Sequence, residues 1–279
     1  MSDDITVRGA LAQSGLIPLD AQVLLAHLLG KDRAWLVAHA DEALARERVD
    51  AFCALARRRR QGEPVAYLTG VREFWGLSLQ VSPAVLIPRP ETETLVELAL
   101  ARLPEERAVR VLDLGTGSGA IALAIARERP RATILATDVS AAALEVAREN
   151  ARRLGIANVA FAQADWYEGV APTWHGAPFD LIASNPPYVA AADPHLGEGD
   201  VRFEPGIALK PGDDGLVAIA RIVAGARACL VEAGTLVVEH GYDQADAVRA
   251  LFVAAGFGEV VAARDLAGVP RVVAGCRAA

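Results

Sequence analysis

The stretch Val109-Arg110-Val111-Leu112-Asp113-Leu114-Gly115-Thr116-Gly117-Ser118-Gly119-Ala120 decides the fold. Residues 109–113 form a short apolar run of strand length, and from 120 to 129 the apolar positions return at helical spacing. Three glycines within five residues join the two, so the backbone can turn sharply and approach a ligand with no Cβ in the way. Outward from this unit the alternation continues. Strands are expected at 133–137, 158–161, 179–184 and 235–239, with helices at 141–154 and 216–231. Strands alternating with longer amphipathic helices imply an α/β fold whose parallel sheet is covered on both faces. Two final β segments are expected around 257–262 and 271–274, with turn residues at Gly256, Gly268 and Pro270.

On the N-terminal side the character changes. Residues 1–80 carry ten basic and ten acidic residues, which leaves 18 basic and 25 acidic residues, and the whole net charge of −7, in 81–279. Ile5, Leu11, Val23, Leu24, Leu28, Leu44, Val49, Phe52 and Leu55 recur at helical spacing, with Ser2, Asp20 and Asp41 expected as N-caps of a small helical bundle. The run Arg57 to Arg60 reads as a solvated helix end, its cations near the negative pole of the dipole. Around Gly76, the near alternation of Phe74, Trp75, Leu77, Leu79 and Val81 suggests a hairpin between the two parts.

Composition excludes several classes. At 279 residues, 53% hydrophobic and 23% charged, the chain can bury its own core, and disorder as the main state is excluded. No apolar run reaches the roughly 18 residues of a membrane span, and residues 1–10 lack a secretory pattern, so the expected location is cytoplasmic. Cys53, Cys229 and Cys276 are odd in number and far apart, and the five histidines are scattered; no disulfide framework and no metal site are expected. The net charge disfavours a non-specific grip on nucleic acid.

Four polar signals fall at the carboxyl ends of four expected strands, the edge where open α/β sheets bind ligands. They are the glycine loop, Asp138, Asp165-Trp166, and Asn185-Pro186-Pro187-Tyr188. Because Gly115, Gly117 and Ala120 also satisfy the permissive G-x-G-x-x-G/A pattern, the glycine loop suits a dinucleotide as well as a nucleoside. Asp138 would accept hydrogen bonds from ribose hydroxyls in either case. Trp166 reads as an adenine neighbour or as ordinary core cover. The Asn185 loop is more specific. Its prolines lack N–H groups and hold their predecessors extended, so it offers carbonyl oxygens and few competing donors. An Asn side-chain oxygen and a proline carbonyl can hold both hydrogens of a planar N–H₂ group while Tyr188 packs on the flat face. Such a nitrogen is a poor nucleophile because its lone pair is delocalised. Accepting its hydrogens returns electron density to nitrogen and favours pyramidalisation, and holding it in line with the electrophilic methyl of S-adenosylmethionine makes transfer effectively intramolecular.

These residues resemble the S-adenosylmethionine-dependent methyltransferases that modify the glutamine side-chain amide of peptide chain release factors. The similarity runs through Arg60-Gln61-Gly62-Glu63-Pro64-Val65-Ala66-Tyr67-Leu68-Thr69-Gly70, Glu73-Phe74-Trp75-Gly76, Leu86-Ile87-Pro88-Arg89-Pro90-Glu91-Thr92-Glu93, both ligand loops, Glu204-Pro205 and Glu239-His240-Gly241. The resemblance implies a helical substrate-recognition domain over 1–71, a β-hairpin linker over 72–84, and over 85–279 a Rossmann-like catalytic domain of seven strands, the last antiparallel. It implies that Gly115, Thr116, Gly117, Ser118, Gly119, Asp138, Trp166 and Asn185 hold S-adenosyl-L-methionine, which leaves as S-adenosyl-L-homocysteine. Asn185, Pro186, Pro187 and Tyr188 would hold the glutamine of a Gly-Gly-Gln loop, with Asn185, Pro186 and Tyr188 catalytic. The partner would be a release factor, on or off the ribosome, and neither DNA nor a membrane. His240 stands where a hydrophobic residue is expected, and residues 1–55 diverge from the family pattern. Rival readings are an adenine-amine DNA methyltransferase, which needs the same acceptor loop, a non-catalytic nucleoside-binding partner protein, and a nicotinamide oxidoreductase.

Overall fold

The computed structural model describes residues 5–170, 174, 177–189, 199–205 and 215–278. The chain divides into two compact units, Met1–Val71 with Gly197–Phe203, and Arg72–Leu196 with Glu204–Ala279.

The first unit is helical, with α1 (Val7–Gln13), α2 (Pro18–Leu29), α3 (Arg33–Ala38), α4 (Arg46–Arg60) and α5 (Val65–Thr69). Leu24, Leu25, Leu36, Phe52 and Leu68 close its core. The helix starts differ from the sequence reading. Thr6 caps α1 through its hydroxyl and Asp32 caps α3; Ser2 lies outside the described residues. Pro18 fixes the start of α2 instead of Asp20, because its locked φ suits a first helical turn and its missing N–H has no partner there to lose. Asp41 pairs with Arg8 (3.1 Å) rather than capping α4, which starts after Ala45. The arginine run is also not simply solvated. Arg59 bonds Asp20 at 2.6 Å and Asp200 at 2.7 Å, so a segment distant in sequence is tied into the bundle. Arg202 adds a bond to the Gln61 carbonyl. Charge partners separated by 141 residues leave no local periodicity to read.

The hairpin pairs β1 (Val71–Phe74) with β2 (Leu77–Gln80). Trp75 (φ 53°) and Gly76 (φ 66°) both take the left-handed conformation that a two-residue type I′ turn requires. Trp75 carries that cost because its N–H donates to Glu93 (2.9 Å) and its indole N–H to Glu128 (3.1 Å).

The rest of the second unit is α6 (Glu93–Arg102), β3 (Arg110–Leu114), α7 (Ala120–Glu128), β4 (Thr133–Asp138), α8 (Ala141–Leu154), β5 (Val159–Gln163), β6 (Phe179–Ser184), α9 (Val217–Cys229), β7 (Leu230–Glu239), α10 (Ala245–Ala254), β8 (Phe257–Arg264) and β9 (Pro270–Arg277). Its sheet has seven strands in the order β5-β4-β3-β6-β7-β9-β8. The first five are parallel, and β9 runs antiparallel to both its neighbours. Alternating side chains feed two cores. Val111 and Ile134 pack with α6 and α7, while Leu112 and Leu114 pack with Ile219 and Ile222 of α9 and Phe252 of α10. Helix α9 ends two residues before the expected 231. Leu230 already pairs with Phe179, and an irregular stretch with Ala233 at φ 59° intervenes before Thr235 pairs with Leu181. The ladder thus competes successfully with helical continuation.

The strand order sets the place for a ligand. From β3 the chain builds outward through β4 and β5, then returns to put β6 on the other side of β3. That reversal leaves a crevice beyond the carboxyl ends of β3 and β6. Leu114 and Ser184 are register partners, so the loops that follow them start side by side.

Candidate functional site

The glycine loop is a strained turn held by its own hydrogen bonds. Gly115, Gly117 and Gly119 have φ of 73°, 56° and 86°, the region that favours residues lacking Cβ. The Thr116 N–H donates to the Thr137 carbonyl (2.8 Å) and its hydroxyl to Asp113 Oδ2 (2.6 Å). Asp138, at the end of β4, accepts from Gly117 N–H and Ser140 N–H, each at 2.9 Å. Burial raises the Asp138 pKa and those backbone donors oppose the rise. The loop is also braced from below. Asn150 of α8, 1% exposed, donates to the Ser118 carbonyl (2.9 Å) and exchanges two bonds with the Gln80 backbone (2.6 and 3.0 Å).

Beside it, the Ser184 hydroxyl ties β6 to the Leu114 carbonyl at 2.8 Å. Asn185 donates from Nδ2 to Thr92 Oγ1 (3.1 Å). The Tyr188 hydroxyl donates to Glu239 Oε1 (3.1 Å), and the Tyr188 carbonyl accepts from Gln244 (3.0 Å). Glu239 is wholly buried at the end of β7, its Oε2 without a hydrogen-bond partner among the described residues, and burial pushes its pKa up to about 7 against the neighbouring Thr92 and Tyr188 hydroxyls and the charge of Arg271. Asp113 is likewise buried and pushed up to about 7.

These elements surround a cavity of about 360 Å³. Gly115, Thr116, Gly117, Ser118, Asp138, Trp166, Asn185 and Pro187 line it, whereas Gly119, Pro186 and Tyr188 are not part of the wall. Gly119 faces Leu123 and Ala147 instead, and Tyr188 turns to Glu239. A Cβ on Gly117 would meet no heavy atom within 4 Å, so the loop's backbone is open to the cavity there. Trp166 adopts φ 51°; it lines the cavity, its ring edge 3.6 Å from where a Gly115 Cβ would stand, and it also packs against the core of the sheet's second face. Asp165 lies at 3.6 Å from Arg221, both half-exposed. Val85, Leu86, Pro88 and Arg89 complete the apolar side, and Arg89 bonds the buried Glu204 at 2.7 Å.

Asn150 carries no site signal in the sequence, while Thr92 and Glu239 stand in stretches similar to the family without a role of their own. Thr92 reads locally as a helix start, and Asn150 as one polar residue in an amphipathic helix. Glu239 had a usable signal: it is a carboxylate at the carboxyl end of the fifth expected strand, the same edge that marked the other four loops. His240, where a hydrophobic residue was expected, is fully buried, and burial lowers its pKa, so it packs as a neutral ring.

Residues 7–70 match the PrmC N-terminal domain family and residues 105–240 a methyltransferase domain family. The crystal structure of a methyltransferase from Pyrococcus furiosus shares the fold, with a TM-score of 0.53 at 17% identity over 80% of this chain and 98% of that one. The release factor glutamine methyltransferase of Xylella fastidiosa (strain 9a5c) is 54% identical over 92% of both chains. That of Escherichia coli (strain K12) is 50% identical over 92% of this chain and 91% of its own. Identity at this level, sustained from the helical bundle through the sheet, means that the chain belongs to the release factor glutamine methyltransferase family.

Proposed function

We propose that the protein methylates the side-chain amide nitrogen of the glutamine in the Gly-Gly-Gln motif of peptide chain release factors, using S-adenosyl-L-methionine. The observation that carries this reading is the register pair Leu114–Ser184, which starts the glycine loop and the Asn185 loop side by side at one cavity. In this reading Gly115, Thr116, Gly117, Ser118, Asp138, Trp166 and Asn185 hold the cofactor, and Gly119 shapes the turn behind them. The open backbone at Gly117 and the carboxylate of Asp138 fit a nucleoside with free ribose hydroxyls. When bound, S-adenosylmethionine supplies an electrophilic methyl on a sulfonium centre.

The protein's own part is to make a weak nucleophile attack. Asn185 Oδ1 and the Pro186 carbonyl accept the two amide hydrogens, which returns electron density to nitrogen as it pyramidalises. Pro187, on the cavity wall, holds the flat face of the carboxamide, and Tyr188, anchored on Glu239, holds the loop's shape. Once the new bond forms the nitrogen is cationic and strongly acidic, and its surplus proton passes to water, so no ionised base is needed beforehand. The helical residues 1–71 serve substrate recognition, 72–84 act as the linker and 85–279 as the catalytic domain. The reaction belongs in the cytoplasm, with release factors as partners on or off the ribosome. Among the described residues no helix is long and apolar enough to cross a membrane.

The test is mass spectrometry of the Gly-Gly-Gln peptide after a release factor is incubated with the protein and S-adenosylmethionine. A gain of one methyl on glutamine is expected. No gain, with cofactor binding intact, would point to a nucleoside-binding partner protein; methylation of duplex DNA instead would point to an adenine-amine enzyme.

A further inference from the structure

Asn185 works as an acceptor only if its oxygen, and not its nitrogen, faces the cavity. A side-chain amide can present either end, and the wrong end would meet the substrate N–H₂ group donor to donor. The prolines of the loop do not decide this. Three side chains behind it do. Asn185 Nδ2 meets Thr92 Oγ1 at 3.1 Å, the Tyr188 hydroxyl bonds Glu239 Oε1 at 3.1 Å, and Glu239 Oε2, buried and without a hydrogen-bond partner among the described residues, has the Thr92 hydroxyl as its neighbouring donor.

We propose that Glu239 and Thr92 form a positioning relay that fixes the direction of the Asn185 amide and so gives the site its preference for a carboxamide nitrogen. The proposal rests on the methyl transfer proposed above. Its logic is a count of hydrogens. An ionised carboxylate has none, so it takes the single hydroxyl hydrogen of Thr92 and that of Tyr188. The Thr92 oxygen is then left with lone pairs only, and Asn185 must turn its Nδ2 toward it. Oδ1 is consequently the end that remains for the cavity. Thr92 is 4% exposed and Glu239 is fully buried, so water does not compete for these positions.

Protonation reverses the count. A neutral Glu239 can donate to Thr92, whose own hydrogen then turns to Asn185 and favours Oδ1 on that side. The groups facing Glu239 are Tyr188, Thr92, Arg271 on β9 and Glu91, with His240 next in the chain. Burial is the largest influence and raises the carboxylate to about 7; Glu91 pushes the same way, while Arg271 and the two hydroxyls oppose it. Transfer is therefore supported above this value and lost below it.

The experiment measures kcat for methylation of a release factor on both sides of neutrality, for the wild type, Glu239→Gln, Thr92→Val and Thr92→Ser, with S-adenosylhomocysteine affinity by calorimetry. The wild-type kcat should rise through pH about 7. Glu239→Gln, whose amide imitates the protonated acid, should be flat at the wild type's low-pH level, about 10- to 100-fold below its plateau, the size of effect that small misplacement of a reacting group produces. Thr92→Ser should keep both rate and pH profile, Thr92→Val should lose both, and any loss of cofactor affinity in Thr92→Val should be smaller than its loss of kcat. Should Glu239→Gln not fold, the Thr92 pair decides alone. Wild-type kcat and an unaltered pH rise in Glu239→Gln, or equal behaviour of Thr92→Val and Thr92→Ser, would overturn the relay while leaving methyl transfer standing. No transfer by the wild type at any pH would overturn the functional reading and the relay with it.

Discussion

Asn150→Ala should be the most damaging single substitution outside the hydrophobic cores. The side chain makes three hydrogen bonds in an interior position: it accepts from Gln80 N–H (2.6 Å) and donates to the carbonyls of Gln80 (3.0 Å) and Ser118 (2.9 Å). Truncation leaves one backbone donor and two acceptors without partners, at about 1 kcal/mol each where water can partly replace the amide and more where it cannot. The sum is roughly 3 kcal/mol, which for a protein of this size lowers Tm by about 6–12 °C. Glu149→Ala, one residue earlier, removes only an exposed ion pair with Arg152 (2.6 Å) and should shift Tm far less. Differential scanning calorimetry of both variants, with hydrogen exchange at Gln80 as a local reporter, gives the comparison. Because the same amide supports the glycine loop, S-adenosylhomocysteine affinity should fall in Asn150→Ala as well. Equal Tm values for the two variants would refute the claim that this residue braces the loop.

Asn185→Ala should fold normally and lose about 10²-fold in turnover, the usual cost of removing one preorganised polar group; wild-type kcat would refute its role. Asp138→Ala should weaken S-adenosylhomocysteine binding by about 10- to 100-fold, since hydrogen bonds to a charged group contribute about 1.5–3 kcal/mol; unchanged calorimetric affinity would remove Asp138 from the site. Asp113 holds its proton up to about pH 7 in the folded state, whereas the unfolded chain releases it near 3.8, so the native state binds more protons between these values and stability falls as pH rises. Asp113→Asn should therefore stabilise the protein at pH ~8, by roughly 2–4 kcal/mol, and do little at pH ~3. A gain that is the same at both pH values would contradict this sign.

Much of the catalytic unit can be read from local pattern. The apolar runs at 133–137 and 179–184 fall within β4 and β6, and that at 109–113 lies one residue ahead of β3, because burial on both faces selects continuous β-branched and aliphatic sequence. The glycine loop and the Asn185 loop could be placed at one edge for the same reason: parallel strands put all their carboxyl ends together. What local pattern does not carry is pairing across long separations. Thr92 and Asn185 are 93 residues apart, and Tyr188 and Glu239 are 51 apart. Thr92 and Glu239 are unremarkable in their own neighbourhoods, and only the folded sheet brings them to the Asn185 loop. Arg59 shows the opposite error. Its helix-end position suggests solvent, yet it is 21% exposed and bound to two aspartates, one of them far along the chain.

The central claim is that Asn185 Oδ1 and the Pro186 carbonyl together capture a glutamine carboxamide. A crystal structure of the protein with S-adenosylhomocysteine and a Gly-Gly-Gln peptide measures this directly. The amide nitrogen should lie about 3 Å from both oxygens, with Asn185 Nδ2 still on Thr92. Glutamine seated elsewhere, or Asn185 presenting its nitrogen to the cavity, would contradict it.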